Sequence, residues 1–376
     1  MRSKGIADKM KSTGLVQIFR PVEETNRTHS KSYVEDLSTK RGRKRCAKAV
    51  VLNLSVLPKL QLCTLLLLLL AAGILSGCAG EQQNAAEPSV FYCGTDDTGV
   101  EVVLREKPQR VVSLGLATDE ILLAIAPPEQ IAALTAYADD PGLSSMTEAA
   151  KAVPVKLKDR SPERVLALHP DLVFTTDGVP KELVESLRDL GLTVYASRTP
   201  KRIEGIFTRI EEIGRLIGQE ENAAALIAEK RARLADVERR VGDIPEAERP
   251  IIVAFAFSGV FGQKDGLFDD MCHHASLRNG AAMVGLTADT PVSMEQIVAL
   301  DPDVFLLPTW SAEGEKTEDF RQKLRNDPLF MHVKAVRENH LYTVPDTYRY
   351  SAGQNAIECV YELARVVYPE RFSDVK

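Results

Sequence analysis

Cys78 carries the most definite chemistry in this chain. It follows the small residues Ser76 and Gly77, behind an apolar run from Leu62 to Leu75, and precedes the polar residues 81–84. A run of that length is too short to span a bilayer and is flanked like the h-region of a secretory signal. The segment resembles a bacterial lipoprotein signal, so the cysteine is expected to accept a lipid and to become the first residue of the mature chain. The pair His273–His274 invites a metal, but a bare-ion site needs three or four ligands, and neither a Glu-x-x-His pair nor a histidine-rich loop is present. A nucleophile elbow, a phosphate loop and a metalloprotease helix are all missing. Gly259 and Gly262 read as turn glycines. A chain of this kind is expected to bind, without catalysing and without a cofactor.

Charge and length narrow the partners. Of 376 residues, 1–77 hold 14 Lys and Arg against 5 Asp and Glu, so 78–376 carry a net charge of −15. That acidity argues against nucleic acid as a partner. Residues 1–77 read as leader and lipoprotein signal, longer than a signal needs, so the true start is expected further along, near Arg41–Lys48. Cys93, Cys272 and Cys359 are left over, an odd set without metal spacing, read as buried thiols with one bridge left open.

The elements that must position any site follow from pattern. Residues 78–94 form a tether and the start of a hairpin that turns at 95–99. Residues 95–200 alternate short β-like runs (110–115, 131–135, 171–175, 192–196) with helices (118–125, capped by Thr118; 162–168; 180–190), a βαβ pattern that implies a parallel sheet. In residues 201–242 apolar positions recur at helical spacing, and a long charged helix covers about 220–241. Residues 243–376 return to βα, with strands at 250–257, 303–307 and 340–344 and helices at 264–283 and 352–368.

One pattern occurs twice, 132 residues apart. Ser161 and Glu163 lead a short apolar helix that stops at Pro170–Asp171 before a strand; Ser293 and Glu295 lead another that stops at Pro302–Asp303. Serine suits an N-cap, the acid suits the first turn, and proline ends the helix. The echo implies two lobes of one plan. Ligands of open α/β sheets lie beyond the carboxyl ends of the strands, so two such ends facing each other make a binding cleft.

At this point the chain resembles the substrate-binding lipoproteins of ABC importers for iron chelates and vitamin B12, the class III binding proteins. The resemblance runs over about 95–372 and rests on the order of segments 95–99, 108–114, 119–122, the two echoed helices, 190–194, 279–282, 339–345 and 363–372. It implies an α/β fold of two Rossmann-like lobes joined by one long backbone helix, with the ligand cleft between the lobes and modest hinge motion. It also implies a monomer tethered to a bacterial membrane, partnered by a permease and its ATPase, with Glu163 and Glu295 as the acids that dock on permease arginines. Loops after the strands supply the candidate ligand residues: Tyr137, Lys158 and Asp177 from the first lobe, with Asp139, Asp140 and Arg160 nearby, and Phe257, Phe261, Trp310, Asp346, Tyr348, Arg349 and Tyr350 from the second, with Lys264 nearby. Aromatic rings offer flat contact to a macrocycle or catechol, and arginine offers a planar fork to an anion. Tyr137 and Asp346 match positions used by cobalamin binders, but Leu157–Lys158 and Thr176 stand where those binders carry tryptophans. The cleft is therefore expected to favour an anionic ferric siderophore, with haem or a corrinoid as alternatives and a sensory lipoprotein of the same fold as another.

Overall fold

The turn that opens the fold is built by one carboxylate. Asp96 Oδ1 accepts from Thr98 N, Thr98 Oγ1 and Val100 N at 2.7–3.0 Å, and Gly99 takes φ +84. This pairs β1 (Tyr92–Thr95) antiparallel with β2 (Glu101–Leu104). The computed structural model describes residues 90–374, so Cys78 and the leader lie outside the described residues.

The first lobe is a parallel sheet of β3 (Val111–Ser113), β4 (Ile131–Thr135), β5 (Lys156–Leu157), β6 (Leu172–Thr176) and β7 (Val194–Ser197), in the order β5-β4-β3-β6-β7. Its strands are buried on both faces rather than alternating, as βαβ crossovers require. The second lobe holds β8 (Ile251–Ala256), β9 (Gly259–Phe261), β10 (Arg278–Asn279), β11 (Val304–Leu307) and β12 (Leu341–Thr343). Its parallel order is β10-β8-β11-β12, with β9 folded back antiparallel on β8. The two sheets are separate.

Helices Ile203–Ile217 and Glu220–Val241 connect them. Gly218 ends the first in the left-handed region at φ +66, where its N–H reaches Gly214 O; a β-carbon there would be strained. The second has 22 residues and runs about 33 Å. Asn222 Nδ2 donates to Ile125 O at 2.8 Å in the first lobe. Further along, Lys230 and Arg233 both reach Glu358 of the helix Ala356–Val367 in the second, and the Arg233 guanidinium lies 3.3 Å from the Tyr361 ring centroid.

Three apolar clusters follow. One covers the outer face of the first sheet (Val112, Val173, Leu187), another the outer face of the second (Val253, Phe305, Leu324). The largest is continuous from Ile121 and Phe174 through Ile210 and Val237 to Ile252, Leu306 and Val360. The long helix is thus a shared core element of both lobes.

Several expectations are corrected. The helix expected from Thr118 starts at Leu116 with Gly115 as N-cap, because Leu116 and Ala117 are sound helix formers; Thr118, Asp119 and Glu120 are buried inside it. The span 264–283 is two helices, Leu267–His274 and Gly280–Met283, interrupted where Ser276 takes φ +53 and β10 begins. Ser293 forms a full capping box with Gln296, whereas the Ser161 side chain does not cap its helix and donates instead to Asp159 Oδ2 at 3.1 Å. All three described cysteines are free; Cys272 and Cys359 are buried as expected, and Cys93 is exposed.

Candidate functional site

Both echoed halves place an acid in the first turn of a short helix. Glu163 and Glu295 are exposed in the first turns of helices Pro162–Leu166 and Met294–Leu300, one on each lobe. The Glu295 carboxyl is held below its ordinary range by its own backbone N–H and by Ser293.

The lobes meet at two places beyond the connecting helices. At the base, helix Leu116–Ile125 faces the chain that leads into helix Ala356–Val367. Ser351 Oγ donates to Glu120 Oε2 at 2.8 Å, Gln354 Nε2 donates to Glu120 O at 2.8 Å, and a β-carbon on Gly353 would lie 3.1 Å from Ala117 O. Burial pushes the Glu120 carboxyl up to about 7 against the opposing bonds of Ser351, Asn355 and the Ser145 backbone. Burial likewise pushes Asp119 up to about 7, although Ser113 and Thr135 bond to it.

At the mouth, Trp310 from the loop after β11 lies directly against Gly142, in the segment that follows β4. The carboxyl ends of the two sheets therefore meet around this contact. Asp346 Oδ2 accepts from Thr309 N and Trp310 N, both at 2.8 Å, and Thr309 Oγ1 accepts from Asp346 N at 2.8 Å. Arg349 pairs with Asp346 Oδ1, with both side chains 0% exposed, and donates to Phe255 O at 2.6 Å and Tyr350 Oη at 2.9 Å. Burial raises the Asp346 carboxyl, with Arg349 and the two backbone bonds opposing. The guanidinium also lies about 5 Å from the ring centroids of Phe261 (5.2 Å) and Tyr350 (4.8 Å), which pack edge-on at 5.0 Å. Burial pushes the Tyr350 phenol up to about 12.

Asp346 and Arg349 are thus enclosed in the second lobe and carry the Trp310 loop, where the sequence reading had them facing ligand. Trp310, Tyr348, Tyr350 and Phe261 are half-buried around them. Phe257 turns to Phe320 of its own lobe, 5.6 Å between ring centroids, and with Met294 and Phe330 lines a pit of about 300 Å³. On the first lobe Tyr137 is half-buried and Lys158 exposed. Arg160 Nη1 donates to Leu114 O at 3.2 Å, just past the end of β3, and Gly115 abuts Thr176. Asp177 is engaged by Thr199 N and Thr199 Oγ1, and Asp139 pairs with Lys156. Gly142, Glu120, Ser351 and Gln354 were not singled out from sequence. Among the described residues no cluster of three His, Cys, Asp or Glu is placed to hold a metal ion.

Two separate sheets, a shared helical spine and a mouth between opposed carboxyl ends define a bilobal solute-binding architecture. The periplasmic binding protein family matches residues 111–348, and the chain belongs to that family. It is 25% identical over 319 residues to a Bacillus subtilis (strain 168) protein named as an uncharacterized ABC transporter substrate-binding lipoprotein, YvrC, covering 82% of this chain and 97% of that one. It is 28% identical over 254 residues to a cobalamin-binding protein of Halobacterium salinarum, covering 65% and 68%. The fold is similar to that of the periplasmic heme-binding protein RhuT from Roseiflexus in its apo form, with a TM-score of 0.59, 22% identity, and coverage of 70% and 100%.

Proposed function

We propose that this protein is the extracytoplasmic receptor of an ABC importer. It captures a metal chelate between its lobes, foremost a ferric siderophore or related iron complex, and presents it to a membrane permease driven by an ATPase. One observation carries this reading: the carboxyl ends of both parallel sheets converge on one mouth, where Trp310 crosses to Gly142. Ligands of such sheets lie at that end. Half-buried rings at the mouth, with Lys158 and Arg160 on the facing lobe, suit a flat or anionic complex. The protein does no chemistry on its cargo. Cys78 tethers it by lipid, and Glu163 and Glu295 dock the loaded receptor.

A second reading, a corrinoid receptor, is favoured by the likeness to the cobalamin-binding protein. Trp310 is the only tryptophan, so its fluorescence reports on the mouth alone. Titration with a ferric catecholate, a ferric hydroxamate, haem and cobalamin should quench it for one class. The same solute at a hundred times its Kd should stabilise the fold by about 2.7 kcal/mol. Quenching by cobalamin alone selects the second reading, and silence from all four overturns both.

A further inference from the structure

We propose that the Trp310 indole is the resting occupant of the mouth, seated on Gly142, and that a solute enters by displacing it. This rests on the reading that solute binds between the lobes.

The seat is argued from what Gly142 lacks. Its φ lies outside the left-handed region, unlike Gly99 or Gly218, so its backbone conformation would accept an ordinary L residue. The surrounding turn is also well fixed: Gly142 N donates to Asp140 Oδ1 at 2.8 Å, and Leu143 N and Ser144 N donate to Asp140 O at 3.0 and 2.8 Å. What excludes a side chain is the ring from the other lobe. A β-carbon on Gly142 would overlap Trp310 Cδ1 and lie 2.5 Å from Nε1 and 2.8 Å from Cγ. Glycine stands here because an indole uses the space.

The indole's own support is equally particular. Thr309 N and Trp310 N are both tied to Asp346, itself paired with the enclosed Arg349. The backbone beneath the ring is therefore held, and the ring leaves its seat by side-chain rotation or by parting of the lobes. Trp310 is only half-buried, so solvent already reaches part of it. A solute must replace the apolar contact it breaks. A bare metal ion or a small oxyanion has no such surface, whereas a chelate with a flat face has. The seated indole thereby selects for bulky, flat-faced cargo.

If the seated state holds about nine molecules in ten, unseating the ring raises apparent affinity about tenfold, because only the remaining tenth is competent to bind. The experiment needs no solute to begin. Gly142→Val should shift Trp310 emission to the red and raise its quenching by acrylamide in the solute-free protein, with the far-ultraviolet circular dichroism unchanged. Gly142→Ala, the milder variant, should lower the melting temperature in the parent yet leave it level or slightly higher in a Trp310→Ala background. Unchanged emission in Gly142→Val, or an equal effect of Gly142→Ala in both backgrounds, overturns the seat. The solute arm uses the four probes named above: whichever binds the parent should bind Gly142→Val about tenfold more tightly, and equal or weaker binding overturns displacement. If none of the four binds either protein while the emission shift is present, the seat stands and the receptor reading fails.

Discussion

Replacing Arg349 by methionine separates two roles for this residue. The Asp346 and Arg349 side chains are both 0% exposed, and Arg349 also bonds Phe255 O and Tyr350 Oη. Arg349→Met keeps much of the volume but leaves the Asp346 carboxylate enclosed with only the Thr309 and Trp310 N–H groups. Removing one member of a buried pair costs about 3–5 kcal/mol, a large share of the roughly 5–15 kcal/mol that holds a folded domain. Urea unfolding followed by circular dichroism should show the midpoint falling with little change in slope. Adding Asp346→Asn removes the stranded charge while keeping an acceptor for both N–H groups, so the double variant should recover most of the loss. Solute affinity, measured where each variant is still folded, should change little. If Arg349→Met is as stable as its parent yet loses solute binding, the guanidinium serves the cargo and the account of the Trp310 loop is wrong.

Glu120 makes stability depend on pH. Its carboxyl is pushed from 4.5 to about 7 in the fold, so its contribution is complete below about 4.5 and is lost as pH rises through about 7. That span is worth roughly 3 kcal/mol, and Asp119 acts in the same direction. The melting temperature should therefore fall between pH 5 and about 8, and Glu120→Gln should flatten the fall; an unchanged slope counts against a buried, protonated Glu120. Glu163→Ala with Glu295→Ala should abolish uptake in cells while leaving solute affinity near that of the parent, since both carboxylates are exposed. Loss of affinity in that double variant would remove the docking role.

The sequence carries the strands that run long enough for a pattern. β3, β4, β8, β11 and β12 fall within expected runs, and β6 and β7 overrun theirs by one residue, because each is an apolar stretch closed by Pro, Gly or Asp. β5 and β10 have two residues each and no periodicity to read. β9 is hidden because Gly259 reads as a turn glycine yet opens the strand, the turn itself lying at Phe257–Ser258. The site was harder. Arg349 between two tyrosines looked like a fork offered to a ligand; its spacing of three from Asp346 on one helical turn was the overlooked sign of an internal pair. Asp119 and Glu120 follow a threonine expected to cap the helix, but the helix begins two residues earlier and turns them inward. Nothing local could announce that Glu120 meets Ser351, 231 positions away, or that Gly142 leaves room for a ring from the opposite lobe.

The apolar cluster that passes unbroken from one lobe through the long helix into the other has a thermodynamic consequence. Each half has an apolar cluster of its own, but the largest is common to both, so the molecule should unfold in one cooperative step. Free energy released by a guest at the rim is then spread through every residue from the first hairpin to the last helix, and a calorimeter sees one endotherm move as a whole.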